Sequence, residues 1–163
     1  MQTATARTDT GGGGRGESGR APTKPWGHWL GRYGEEAAAR YLAGAGYQLL
    51  DRNWVCRDAG LRGELDLVAR FRRTVVVCEV KTRSGDRLAH PAEAVTPDKA
   101  ARLRLLAARW LDEHQRPGRA GAPGRAKSVL GRVNLLRIDV IAIRTSPRPP
   151  YTLRSLDHLV AVA

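Results

Sequence analysis

Sulfur is scarce: two cysteines, Cys56 and Cys78, and one methionine in 163 residues. With no CxxC pair and no apolar leader, the cysteines form neither a disulfide framework nor a zinc module and are expected to be reduced, as in a cytoplasmic protein. Long apolar runs are also missing. The strongest, such as Val75-Val76-Val77-Cys78, fall far short of the roughly 20 residues of a membrane span. Met1 to Pro25 lacks the apolar stretch that would mark an export leader, so a soluble chain with no membrane partner is expected. Acids are few, 16 Asp plus Glu against 28 Lys plus Arg, for a net charge of +12. That excess points to a polyanionic partner such as nucleic acid or an anionic surface, and by itself says nothing of catalysis. The four histidines, His28, His90, His114 and His158, lack metal-ligand spacing, and none is assigned to a site.

What is present suffices for a core. The length suits one domain, and with 42% hydrophobic residues such a domain buries roughly two-thirds of its unfolded surface. Residues 1–25, with four consecutive glycines at Gly11 to Gly14, cannot offset their ordering entropy and read as a disordered tail. The domain is then 26–163, with a mobile basic loop at about 116–134, since six basic residues and no acid lie between Arg116 and Arg137. Leu30, Tyr33, Ala37, Ala38, Tyr41 and Leu42 recur at helical spacing over about Trp29 to Ala43, with Gly44 as a stop. Strands are predicted over Tyr47 to Val55, Arg62 to Phe71 and Thr74 to Thr82. A second helix runs from Pro97, capped by Thr96, to about His114, followed by strands over Leu135 to Ile143 and Tyr151 to Leu156. The hairpin about Arg72-Arg73 lacks a residue suited to positive φ, so a loop longer than two residues is expected there.

That hairpin carries the chemistry. Alternate strand residues share a face, so Glu64 pairs with Asp66 and Glu79 with Lys81. Asp66 and Glu79 are equidistant from the turn, as are Glu64 and Lys81, so a symmetric hairpin sets them opposite one another. Facing carboxylates destabilise a sheet unless a positive group lies between them, and an all-oxygen set suits Mg²⁺ or Mn²⁺. Lys81 could orient or deprotonate a water, or steady charge on a phosphate. The bland reading is a Glu64–Lys81 cross-strand salt bridge with Asp66 and Glu79 on a solvated face. An isolated E-x-K favours it; an acid interrupting the apolar strand Val75 to Val80 does not.

Gly31-x-x-Gly34-Glu35 opening an Ala-rich helix, Tyr41-Leu42, Gly46-Tyr47, Arg52-Asn53, Gly63-Glu64-Leu65-Asp66 and Glu79-Val80-Lys81-x-Arg83 together resemble the YraN-like bacterial family. That family is placed in the PD-(D/E)xK nuclease superfamily, near archaeal Holliday-junction resolvases, and the resemblance runs from about Gly31 to the C-terminus. It implies an α/β, restriction-endonuclease-like core, a mixed central sheet flanked by helices, and a Mg²⁺- or Mn²⁺-dependent endonuclease acting on DNA. Carried over by position, it implies catalytic roles for Glu35, Asp66, Glu79 and Lys81, metal binding by Asp66, Glu79 and Val80, and nucleic-acid contacts from Arg83 and Lys99. Alone, Glu35 would read as a first-turn acid complementing the helix dipole, and the adjacent Glu36 leaves its register open. Arg137-Ile138-Asp139 matches a late strand motif and reads better as a strand salt bridge near the sheet edge.

Other signals are weaker. Gly121 to Ser128 nearly matches a phosphate-binding loop, but Ala126 replaces a required glycine and a helix precedes it. Trp26, Trp29, Trp54 and Trp110 read mostly as core candidates; an exposed Trp26 or Trp29 could stack a base, which is the less favoured reading. The expectation is therefore a structure-specific or resolvase-like nuclease, with a homodimer implied by analogy. The alternatives are a nucleic-acid-binding protein that keeps the fold without turnover, and a basic RNA-binding adaptor.

Overall fold

A computed structural model of the chain describes residues 25–85, 95–115 and 133–162. Seven elements follow in order: α1 (Pro25–Gly44), β1 (Gln48–Asp58), β2 (Leu61–Phe71), β3 (Thr74–Ser84), α2 (Pro97–Gln115), β4 (Leu135–Thr145) and β5 (Leu153–Leu159). This is the order read from the sequence. The glycine-rich tail up to residue 24, the basic segment 116–132 and the near-match to a phosphate-binding loop lie outside the described residues.

The strands form one mixed sheet in the order β1-β2-β3-β4-β5. Neighbours are antiparallel except β3 and β4, which run parallel from Thr74–Leu135 to Ser84–Thr145. A parallel pair needs a long crossover, and α2 lies within it. Central strands covered on both faces read as near-continuous apolar runs, as Val75 to Cys78 does, with all four residues buried. Alternation then divides them. Val75 and Val77 join Leu65, Val68 and Ile138 under Leu103, Leu106, Ala107 and Trp110 of α2. Val76 and Cys78 join Leu67, Ala69, Ile141 and Ile143 under Ala38, Ala39 and Leu42 of α1. The helices thus cover opposite faces. Trp110 buries its ring in the α2 layer and its indole N–H donates to Asp51 Oδ2 at 2.9 Å, so the buried donor is satisfied.

Thr96 caps α2 as expected: its Oγ1 accepts from the Lys99 N–H at 3.3 Å and its carbonyl from Ala100 at 2.8 Å. Three expectations need correction. Phe71 pairs directly with Thr74, so the β2–β3 turn is the tight two-residue form. Arg72 adopts φ 56 to make it, held by its own carbonyl, which accepts from Arg70 Nε at 2.8 Å, and by its guanidinium over the Phe71 ring. Helix α1 stops at Gly44 as expected but begins at Pro25, four residues ahead of Trp29, and the reversal comes at Gly46, φ 84. Trp29 is not a core residue; it is 49% exposed.

Candidate active site

The β2–β3 register holds from Phe71–Thr74 to Leu67–Cys78 and stops one step before Asp66 and Glu79 would pair. Beyond that step β3 stays with β4 while β2 stays with β1, whose partners Arg52–Leu67 and Trp54–Leu65 bracket Asp66. The two strands fork, and Asp66 sits in the fork. Leu65 packs on the α2 side and Leu67 on the α1 side, so regular alternation breaks at Asp66, next to the positive-φ Asn53 of β1.

The half-buried Asp66 carboxylate takes the place of a strand partner: its Oδ2 accepts from the Val80 N–H at 2.8 Å. A strand residue that points its N–H across to one neighbour points its C=O the same way, so the Val80 carbonyl also faces the fork. Glu79 and Lys81 share the face of Val75 and Val77, toward α2. Burial, and then the charge of Glu79, push the Asp66 carboxyl up to about 7; Glu35 and Glu64 add to this, and only the Val80 hydrogen bond opposes it. Three acids therefore act on a fourth that has one backbone donor. An accumulation of hard oxygen ligands without matching positive charge is the electrostatic form of a divalent-cation site. The residues fit Mg²⁺ or Mn²⁺: the second oxygens of Asp66 and Glu79 accept from no described residue, and the Val80 carbonyl faces the same space.

Positive charge reaches the fork through α2. Lys99 Nζ lies 2.5 Å from Glu79 Oε1, with the Glu79 side chain 12% exposed and Lys99 39%. Lys99, expected to meet phosphate, is thus placed on a site carboxylate. Lys81 and Arg83 are exposed on the last third of β3, and neither has an ion pair with a described residue.

Helix α1 supplies Glu35 through a close approach. A Cβ on Gly34 would stand 1.7 Å from Thr82 Oγ1, so only glycine lets this turn of the helix rest on β3. Glu35 Oε2 accepts from Asn53 Nδ2 at 2.8 Å, whereas Glu36 is engaged by Arg52 at 2.8 Å and Arg40 at 3.8 Å. Of the two, Glu35 is the one whose charge acts on Asp66, while Glu36 is engaged by arginines at the surface. Arg52 and Asn53 had been noticed only as a motif. Two consecutive polar residues, followed by Trp54, do not alternate as a half-buried strand should, and that irregularity was the available signal.

A second cluster lies on the α1 face. Cys78, Asp139 and His158 bring ligand atoms within 4.8 Å of one another, although no histidine spacing had suggested it. The donors argue against a metal here. Asp139 is fully buried and accepts from Arg137 Nε at 2.9 Å and Nη2 at 2.8 Å, His158 Nε2 at 2.9 Å and the Ala161 N–H at 2.8 Å. Burial, with Asp139 beside it, pushes the Cys78 thiol up and away from the thiolate that a metal requires. The expected Arg137–Asp139 salt bridge exists, on β4 next to the edge strand β5 and just before the two strands begin to pair. An open cleft of about 490 Å³ over the β1–β2 hairpin, lined by Val55, Arg57, Arg62 and Glu64 among others, shares only Glu64 with the acidic patch.

An α/β protein with a mixed five-stranded sheet, carrying an acidic cluster where two central strands part, is the class that these features define. The chain belongs to the YraN-like family, described as uncharacterised protein family UPF0102, which matches residues 34–143. It is 48% identical over 130 residues to a UPF0102 protein of Frankia alni, covering 80% of this chain and 90% of that one. It is 50% identical over 116 residues to one from Acidothermus cellulolyticus, covering 70% and 80%. Against a Frankia casuarinae relative the figures are 60% over 85 residues, 52% and 69%. The matched region starts at Gly34 and takes in the whole fork.

Proposed function

We propose that the protein is a metal-dependent nuclease that hydrolyses phosphodiester bonds in nucleic acid, DNA being the first candidate, with a restriction-endonuclease-like core. The observation that carries this reading is Asp66: a carboxyl seated between diverging strands, bound by one backbone N–H and crowded by Glu79, Glu35 and Glu64. A structural acid at that depth would normally have a cationic partner of its own.

Asp66, Glu79 and the Val80 carbonyl would hold Mg²⁺ or Mn²⁺, with Glu35 on the flank. When bound, such an ion polarises the phosphoryl oxygens and lowers the pKa of water. The remaining work falls to the chain. Lys81, two residues beyond Glu79 on the same face, is free to lie against the scissile phosphate and to steady charge as it develops there. Asn53 keeps the Glu35 carboxylate aimed by its hydrogen bond. Lys99 balances Glu79, and an incoming phosphate would compete for its ammonium. Arg83 and the net charge of +12 supply affinity for a phosphate backbone with little sequence readout, which suits recognition of shape or of junctions.

The test is cleavage of labelled single-stranded, duplex, flap and four-way-junction DNA by wild type, Asp66→Ala and Lys81→Ala, in Mg²⁺, Mn²⁺ or chelator. Metal-dependent cutting that both variants lose, with most binding retained, is the expected result, because binding comes from distributed charge. Binding without cutting in every metal would move the assignment to a non-catalytic nucleic-acid-binding protein with the same fold. Two copies would suit a symmetric junction, and sedimentation with and without junction DNA measures that.

A further inference from the structure

Three aromatic rings make a shelf at the N-terminal half of α1. Trp29 stacks on Tyr33, one helical turn away, with centroids 5.6 Å apart and planes 15° from parallel. On its other side it meets Tyr151, from the β4–β5 connection, at 5.4 Å and 32°. The connection is fixed rather than loose: Ser146 Oγ donates to the carbonyls of Arg148 and Pro150 and accepts from the Thr152 N–H. Despite two ring partners Trp29 remains 49% exposed. An indole held flat by neighbours and left open to solvent is the arrangement that accepts another flat ring.

The two segments that supply the rings, 25–34 and 146–152, carry the exposed Arg32 and Arg148 and no acid. The shelf is also tied to the fork. The approach of Gly34 to Thr82 seats α1 on β3 just past the fork, and Trp29 precedes Glu35, whose charge acts on Asp66, by six residues, about 9 Å along a helix. A polyanion whose phosphate entered the fork would pass these arginines and reach the rings. Aromatic platforms beside a positive track bind single strands, because every base offers a π face.

We propose that Trp29, supported by Tyr33 and Tyr151, is a base-stacking subsite that takes an unpaired nucleobase, so that the preferred ligand carries single-stranded or splayed nucleotides next to the strand held at the fork. This rests on the nucleic-acid reading above and adds to it which form of nucleic acid is bound. A fully paired duplex keeps its bases stacked on one another and gains nothing from the shelf.

Fluorescence anisotropy with the full chain in chelator, using a labelled oligodeoxythymidylate and a blunt duplex of equal length, separates the cases without requiring turnover. Trp29→Ala should weaken the single strand relative to the duplex by about 5- to 100-fold, the range of one lost base–aromatic stack, and Trp29→Phe should restore most of it. As a check that does not depend on a variant's folding, 5-iodouracil in the single strand should photocross-link in the wild-type chain to Trp29 or Tyr151. Equal weakening of both ligands, no weakening of either, or cross-links confined to other residues would overturn the subsite and leave the nuclease reading standing. No binding of either ligand by wild type would overturn both. Binding to anionic vesicles that Trp29→Ala abolishes, with nucleic-acid affinities unchanged, would assign the shelf to a lipid surface instead.

Discussion

Replacing Asp66 by asparagine should stabilise the metal-free protein, by an amount that depends on pH. Burial and the charges of Glu79, Glu35 and Glu64 raise this carboxyl from its ordinary 3.8 to about 7 in the folded chain. Between those values the folded state holds a proton that the unfolded state has released. Asp66 therefore costs no stability below about pH 4, and the penalty grows as pH rises through about 7. At about 1.4 kcal/mol per tenfold change, the full effect is at most about 4 kcal/mol, and partial solvent access brings the expected value to about 2–3 kcal/mol. Asparagine has the same shape and an oxygen to accept from the Val80 N–H, now 2.8 Å from Oδ2, but it carries no charge. Urea unfolding in chelator should give Asp66→Asn the same stability as wild type at about pH 4 and a higher one at about pH 8. Excess Mg²⁺ should then reverse the order at about pH 8 by stabilising wild type alone. A difference between the two proteins that stays constant across that range would refute the account of Asp66 as a crowded, partnerless acid.

Two further substitutions test how the site is assembled. Gly34→Ala places a methyl 1.7 Å from Thr82 Oγ1 and 2.8 Å from its Cβ. It should cost about 1–3 kcal/mol by overpacking, and Thr82→Ala in the same chain should recover only part of it, because the Cβ remains; thermal unfolding of the single and double variants measures this non-additivity. Asn53→Gly keeps the left-handed backbone at φ 51 but frees Glu35, so it should leave metal-free stability little changed and reduce the stabilisation that Mg²⁺ gives. Asn53→Ala should lose the same Mg²⁺ effect and about 1 kcal/mol more in chelator, since a side chain without a local hydrogen bond disfavours that conformation. Undiminished Mg²⁺ stabilisation in Asn53→Gly, read from unfolding midpoints, would remove Asn53 from the site.

The elements were legible because the hydrophobic pattern is strong. Leu103, Leu106, Ala107 and Trp110 form one stripe, and Val75 to Cys78 can only be a strand buried on both faces. The acids were legible by counting from the turn, since the register that pairs Leu67 with Cys78 extends in number to Asp66 and Glu79. What could not be read is that the ladder ends there. Strand alternation is a local rule, whereas the fork arises because β1 and β4 draw β2 and β3 apart, a contest among four strands that no single segment records. The same limit hid the Glu35–Asn53 and Glu79–Lys99 pairs, whose members are 18 and 20 positions apart. The Arg72-Arg73 turn failed for the opposite reason. A local penalty at φ 56 was overruled by five consecutive cross-strand pairs that fix the hairpin length.

The end of the ladder is also what makes the site chemically useful. In a regular antiparallel pair the N–H and C=O of Val80 would be consumed by a partner strand, and a carboxylate at position 66 would stand on one face of the sheet. Because β2 leaves, that edge of β3 offers its backbone groups to something else, and Asp66 takes the N–H and leaves the C=O. That edge is flanked by Asp66 and Glu79, so a further strand could not pair there without burying both acids against it. Lys99 meets part of the demand for positive charge, but a single ammonium bonded to Glu79 Oε1 leaves Asp66 with its proton held up to about 7. An ion bound by both carboxylates would lower that value and release a proton on binding. On the proposed reading the fork would take a divalent cation rather than a further lysine, and that ion would offset the ladder hydrogen bonds given up where the two central strands part.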